Sequence, residues 1–180
     1  MSTSYVALLR GINVGGKHSL PMKDLCQMFA AAGCDQVKNY IQSGNVVFRA
    51  DADLAARIPD LITAEIEAHF GHRTPLLLRN KAQLDGVIRN NPFLKAGAAE
   101  ETLYVLFLAD RPGTREVAGL DPDRSPPDAF AVRRQEIYLR LPHGGARSKL
   151  INAYFDSKLR TISTARNWRS VNKLFQMLPG

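Results

Sequence analysis

Val37-Lys38-Asn39-Tyr40-Ile41-Gln42-Ser43-Gly44-Asn45-Val46-Val47-Phe48 is the stretch whose reading decides the fold. Val37 to Ile41 and Val46 to Phe48 are β-prone runs, and Ser43-Gly44-Asn45 between them is a tight-turn signal, so a hairpin is expected. On its N-terminal side, Tyr5 to Leu9 is a short apolar run closed by Arg10 and Gly11, which reads as a buried strand. Met22, Leu25, Cys26, Met28 and Phe29 follow at helical spacing, with Pro21 at the entry and Gly33 at the exit. On the C-terminal side, Leu54, Ile58, Leu61, Ile62, Ile66 and Phe70 trace a second helix. Asp53 is its expected cap, Pro59 marks an expected kink or a later start, and Gly71 stops it. Thr74 to Leu78 is an expected strand. The order β-α-β-β-α-β is the split pattern of a ferredoxin-like unit.

A looser copy of that order follows. Lys81 to Arg89 reads as a short helix that Asn90-Asn91-Pro92 breaks. Leu103 to Leu108 is the most apolar run and reads as a central strand. Thr114 to Leu120 is a short helix, and the three prolines between Asp121 and Asp128 mark a loop. Ala129 to Val132 and Ile137 to Leu141 make a second hairpin. Leu150, Tyr154, Phe155 and Leu159 form a helical face, Thr161 to Thr164 a last short strand. Trp168, Val171, Leu174, Phe175 and Leu178 give a final amphipathic helix. The expected class is therefore α+β: two ferredoxin-like (alpha-beta plait) halves in tandem, with antiparallel-type sheets and helices on one face. The halves are residues 1–80 and 102–180, the second with an extra C-terminal helix, joined by a connector with a short helix at 81–101. The repeat is one of pattern; no residue-level identity between the halves stands out in the sequence.

Composition narrows the setting. The 180 residues are enough for one large domain or two small ones. No apolar run reaches the length of a membrane span and no basic leader precedes one, so a cytoplasmic protein is expected, with no membrane partner. Cys26 and Cys34 are too few for a disulfide framework; Cys26 is expected to be a buried small hydrophobe and Cys34 a surface thiol. The net charge is +7. Residues 131–180 carry ten Lys or Arg against Glu136 and Asp156, so the excess lies in the C-terminal third. Two accounts stay open, an anionic partner or a solvated basic face.

Gly11-Ile12-Asn13-Val14-Gly15-Gly16-Lys17 fits the opening of a phosphate-binding P-loop, G-x-x-x-x-G-K. His18 stands where a Mg²⁺-holding hydroxyl belongs, however, and Pro21 delays the helix that should begin at the lysine. ATP hydrolysis is not expected. A weaker property survives: glycines leave backbone N–H groups able to form an anion nest ahead of a helix N-terminus. Gly144-Gly145-Ala146-Arg147-Ser148-Lys149 repeats the arrangement, with Ser148 as the expected cap. In Arg166-Asn167-Trp168-Arg169, Asn167 is the expected cap of the last helix, Trp168 faces the core, and Arg166 is the freer residue. His69 and His72 are spaced like metal ligands, but Gly71 separates them and no cysteine pair is near, so no metal site and no cofactor are expected. No arrangement of nucleophile and base, and no pair of carboxylates, stands out.

Several of these stretches together resemble a known family. The run from Ala7 to Lys17, the run from Tyr40 to Phe48, Arg147-Ser148-Lys149-Leu150 and Arg166-Asn167-Trp168 resemble, in order, signatures of the bacterial domain-of-unknown-function 1697 family. The resemblance implies two alpha-beta plaits and an activity that is not established. Where that family carries Thr-Thr-Arg-Asn, this chain has Ser163-Thr164-Ala165-Arg166-Asn167.

The function expected is binding of a phosphate-bearing ligand, nucleotide or nucleic acid, in a basic cleft between the halves. The ligand-binding candidates are Arg10, Asn13, Lys17, Asn45, Arg147, Ser148, Lys149 and Arg166. A small enzyme acting on an anionic metabolite and a protein-interaction module remain as alternatives. Oligomeric state is not legible.

Overall fold

A computed structural model describes residues 2–179. The chain forms two compact units. One runs up to Asp85 and includes the chain again from Lys173; the other spans Gly86–Asn172.

The first unit is built from β1 (Thr3–Leu9), α1 (Met22–Ala31), β2 (Asp35–Tyr40), β3 (Asn45–Ala50), α2 (Ala52–Phe70) and β4 (Leu76–Asn80). Its four strands form an antiparallel sheet in the order β2-β3-β1-β4. The hairpin read from residues 37–48 is present, and β3 pairs onward to β1 with Val6 opposite Val47. One sheet face presents Ala7, Leu9, Val46, Phe48 and Ala50 to Leu25 and Phe29 of α1 and to Ile58, Ile62 and Ile66 of α2. Val6, Leu8 and Val47, on the opposite face, are buried as well. A strand buried on both faces has no polar side to alternate with, which is why β1 reads as an unbroken apolar run.

α2 starts earlier than expected. Asp51, not Asp53, is its cap, accepting a hydrogen bond from Leu54 N at 2.8 Å. Pro59 lies well inside the helix rather than at its start. A proline there has no N–H to donate, a cost the buried Ile58-Ile62-Ile66 stripe offsets. Gly71 closes the helix in the left-handed conformation, as read. The fourth strand begins at Leu76, two residues later than the sequence indicated.

α3 (Lys81–Arg89) runs from the first unit into the second. Pro92 does not only break it: with Asn91 as cap it opens a further turn, α4 (Pro92–Lys95). β5 (Leu103–Leu108), α5 (Thr114–Ala118), β6 (Ala129–Arg133), β7 (Glu136–Arg140), α6 (Asn152–Leu159) and β8 (Ser163–Asn167) follow. Their sheet is again antiparallel, ordered β6-β7-β5-β8. Its core joins Leu106, Leu108, Ile137 and Leu139 to Tyr154, Phe155 and Leu159 of α6. α7 (Trp168–Met177) ends the chain's regular structure. Asn167 caps it, accepting from Ser170 N at 2.8 Å, and Trp168 is buried, both as read.

Two readings are reversed. Cys34 is the buried thiol, 6% exposed, and Cys26 is the half-exposed one. The apolar stripe of α1 is carried by Met22, Leu25 and Phe29. Cys26 lies beside that stripe, whereas Cys34 follows Gly33 back under the sheet and joins the core. Ser148 is not a helix cap: α6 begins at Asn152, and Ser148 Oγ accepts instead from Leu150 N at 3.0 Å. Among the described residues, no helix is long and apolar enough to cross a membrane.

Candidate functional site

The segment between β1 and α1 is a small clasped hairpin. Gly15 and Gly16 both have positive φ, 57° and 73°, the pattern of a tight two-residue turn. Lys17 N donates to Val14 O at 3.1 Å and Asn13 N to His18 O at 3.1 Å, which closes the turn. Lys17 and His18 are therefore held at an exposed tip rather than in the first turn of a helix. α1 starts only at Met22, so the P-loop geometry is not formed.

Asn13 is the clasp. Its side-chain nitrogen donates to Leu20 O and to Gln42 O, both at 2.9 Å, and its oxygen accepts from Leu20 N at 2.8 Å. A single amide thus ties the hairpin to its own exit and to the β2–β3 turn. Asn45 does similar work from full burial, donating to Tyr40 O at 3.2 Å and Ser43 Oγ at 3.3 Å. Those bonds use both side chains to shape loops. Gly44, with φ +74°, lets the turn press against β1, where Leu9 N donates to Gly44 O at 2.9 Å.

A third segment, residues 71–75, meets the other two. Arg10 N donates to Pro75 O at 3.0 Å, and the rings of His18 and His72 stand edge to face with centroids 4.7 Å apart. His72 Nδ1 lies 3.1 Å from Thr74 Oγ1. Its other ring nitrogen, Nε2, is buried and has no hydrogen-bond partner among the described residues. Arg73 is exposed beside it. One end of the first sheet therefore gathers Arg10, Lys17, His18, His72 and Arg73, and residues 9–23, 36–50 and 71–84 contain no acid. Neither Lys17 nor Arg73 pairs with a carboxylate among the described residues. Lys17, His18, His72 and Arg73 favour an anion, because like charges repel and N–H donors bind anions with charge-assisted bonds. Nearby in the same unit, a groove of about 1000 Å³ lies between α1 and β2, lined by Lys23, Cys26, Val37, Lys38 and Gln42 among others.

In the second unit the other candidates have different surroundings. Arg147 and Lys149 are exposed, but their loop is stapled to the proline-rich one. Lys149 N donates to Ser125 Oγ, which donates to Asp128, and Arg124 Nε donates to Lys149 O. That neighbour brings Asp121, Asp123 and Asp128 with it, so this glycine-rich loop is not set in an acid-free region. Arg166 is not on a loop. It lies in β8, 8% exposed, and donates to Thr164 Oγ1 at 2.8 Å and Ala165 O at 2.7 Å. Burial lowers its guanidinium to about 10, and it stays charged at neutral pH.

Sequence reading missed two things. His72 was weighed only with His69, as a possible metal ligand, and Arg73 not at all; what recommends them is the contact of His72 with His18, which the sequence does not contain. Arg79-Asn80 was missed because its likeness to Arg166-Asn167 shows only in register. Tyr5 pairs with Asn80 and Val6 with Arg79; Tyr104 pairs with Asn167 and Val105 with Arg166. Each arginine is buried and bonds the carbonyl of the residue before it, and each asparagine caps the helix that follows. Even the exits repeat: Leu9 N to Gly44 O and Arg10 N to Pro75 O are matched by Leu108 N to Gln135 O and Ala109 N to Ile162 O. The two units share residues at the Tyr-Val and Arg-Asn positions, whereas at the exits it is the backbone bonds that repeat.

Comparison with known proteins agrees with this architecture. The chain belongs to the DUF1697 family, described as proteins of unknown function, whose model matches residues 2–138. It is similar in fold to a solved structure titled as the conserved bacterial protein SP0830 from Streptococcus pneumoniae. The two are 22% identical, with a TM-score of 0.74, and the match covers 99% of this chain and 100% of that one. No curated protein matches.

Proposed function

We propose that this protein binds a phosphate-bearing ligand at the β1–α1 end of its first sheet. One observation carries the reading: a glycine turn and the Asn13 clasp hold His18 against His72, with Lys17 and Arg73 their chain neighbours, and His72 Nε2 is buried without a partner among the described residues. A buried polar nitrogen left unsatisfied is costly, and an anion oxygen would satisfy it once a shift of the groups covering it lets the anion in. The adjoining Lys17 and Arg73 would supply charge. We read the fold as two alpha-beta plaits in tandem, supported by the strand order shared by the two sheets. A cytoplasmic setting fits the two free thiols.

The test is calorimetric titration of the full chain with inorganic phosphate and pyrophosphate at low salt. Lys17→Ala and Arg73→Ala should each weaken binding by roughly tenfold or more, as loss of a charge-assisted bond does. If neither anion binds the wild type, or if both variants bind as it does, the reading fails.

A further inference from the structure

Beside the cationic tip the first unit exposes two large apolar side chains. Val14 is 66% and Ile41 49% exposed. Their loops are tied one residue from each: Asn13, which precedes Val14, donates its side-chain Nδ2 to Gln42 O, the carbonyl next to Ile41. Single exposed aliphatics are ordinary, but a pair on adjoining loops beside a cluster of cations forms a two-part surface.

Ile41 has a further peculiarity. Its φ is +49°, the left-handed region, where a β-branched residue is a genuine outlier. Glycine or asparagine would sit there with less strain. Folding gains little from Ile41, since its side chain stands half in water. Strain held without a packing return is a mark of a contact made for another purpose.

We propose that the ligand is a small phosphate monoester with an apolar or aromatic substituent, its phosphate at Lys17, His18, His72 and Arg73 and its substituent against Val14 and Ile41. This rests on the anion site proposed above and names its ligand class. A polyanion held only by its charges would have no use for two exposed aliphatic side chains; a monoester with an apolar group uses both halves.

Full-length protein would be titrated with inorganic phosphate, methyl phosphate and phenyl phosphate, followed by NMR shifts and calorimetry. Phenyl phosphate should bind roughly tenfold tighter than methyl phosphate, the gain expected from burying a modest apolar area. Ile41→Asn should bring phenyl phosphate down to the methyl phosphate level, leave inorganic phosphate unchanged, and raise the Tm, because asparagine tolerates the left-handed backbone. Val14→Ser, at the exposed tip, should show the same loss and serves if the first variant folds poorly. Equal binding of methyl and phenyl phosphate would overturn the ligand class while leaving the anion site intact. Absence of all phosphate binding would overturn both. A fall in Tm, or loss of inorganic phosphate binding, in Ile41→Asn would show Ile41 to be structural and end the proposal.

Discussion

Gly44 is where the β2–β3 turn meets the exit of β1, and its replacement by alanine can be worked through from the geometry. Two costs arise. The first is conformational: φ is +74°, and an L-residue pays about 1–2 kcal/mol to hold a left-handed backbone. The second is steric. A Cβ on Gly44 would lie 2.8 Å from Leu9 Cβ and 2.9 Å from Ile12 Cδ1, both inside any normal contact distance. Leu9 Cβ is fixed to a central strand and Ile12 is buried, so relief requires a backbone shift, costing about 1–3 kcal/mol. Together Gly44→Ala should cost roughly 2–5 kcal/mol. Gly16→Ala separates the terms, because Gly16 has φ +73° but nothing within 4 Å of the added atom. It should cost only the first, about 1–2 kcal/mol. In urea the midpoint should fall by about 1 M or more for Gly44→Ala and by roughly half as much for Gly16→Ala. Far-UV circular dichroism is the suitable probe, since the single tryptophan, Trp168, belongs to the other unit. Equal shifts in the two variants would refute the claim that the turn is packed hard against Leu9 and Ile12.

Three further outcomes follow from single side chains. Asn13→Ala removes three hydrogen bonds and should destabilise the first unit by about 2–3 kcal/mol, with amide exchange rising around Leu20; a loss under 1 kcal/mol would show the clasp to be ornamental. Burial pushes the Cys34 thiol up to about 11 from its ordinary value of 9.0, so a thiol reagent at neutral pH should label half-exposed Cys26 well before Cys34. The unfolded chain gives up the Cys34 proton first, so folding stability should fall between about pH 9 and 11 and be unaffected by this group below that range; Cys34→Ala should remove that part of the slope.

What was legible in the sequence was whatever depends on neighbours along the chain. The hairpin at Ser43-Gly44-Asn45, the cap at Asn167 and the stop at Gly71 are local, and each is in place. Helix starts were less secure: Asp51 and Asp53 are both capping types, and only the bond to Leu54 N chooses between them. Cys26 and Cys34 were exchanged because helical spacing alone does not say which side of the stripe meets the sheet. Arg166 looked free because its strand was read as ending at Thr164, two residues after which it would be on a loop. The residues of the candidate site divide in the same way. Lys17 was visible in its glycine setting, whereas His72 and Arg73 are some fifty-five residues further on, and only the folded ring contact with His18 joins them.

The repeat between the units bears on where function sits. Where the copies agree, at the Tyr-Val starts of β1 and β5 and at Arg79-Asn80 and Arg166-Asn167, the residues pair strands and cap helices. They are what any copy of this scaffold needs to fold. The copies differ at both ends: at one the second unit has the longer links, 119–128 against 32–34 and 141–151 against residue 51, and at the other the first unit does. Twelve residues, 10–21, separate β1 from α1, against five, 109–113, between β5 and α5. The β2–β3 turn has four residues, 41–44, against two, 134–135, between β6 and β7. The link from α2 to β4 has five, 71–75, against three, 160–162, from α6 to β8. The second unit shows that the sheet closes with the shorter versions, so folding does not require the longer ones. All three extended segments of the first unit meet, through Leu9 N to Gly44 O, Asn13 to Gln42 O, Arg10 N to Pro75 O and the His18–His72 contact. Extra loop length carries an entropic cost. Three such extensions converging where Lys17, His18, His72 and Arg73 stand fit the anion site proposed above.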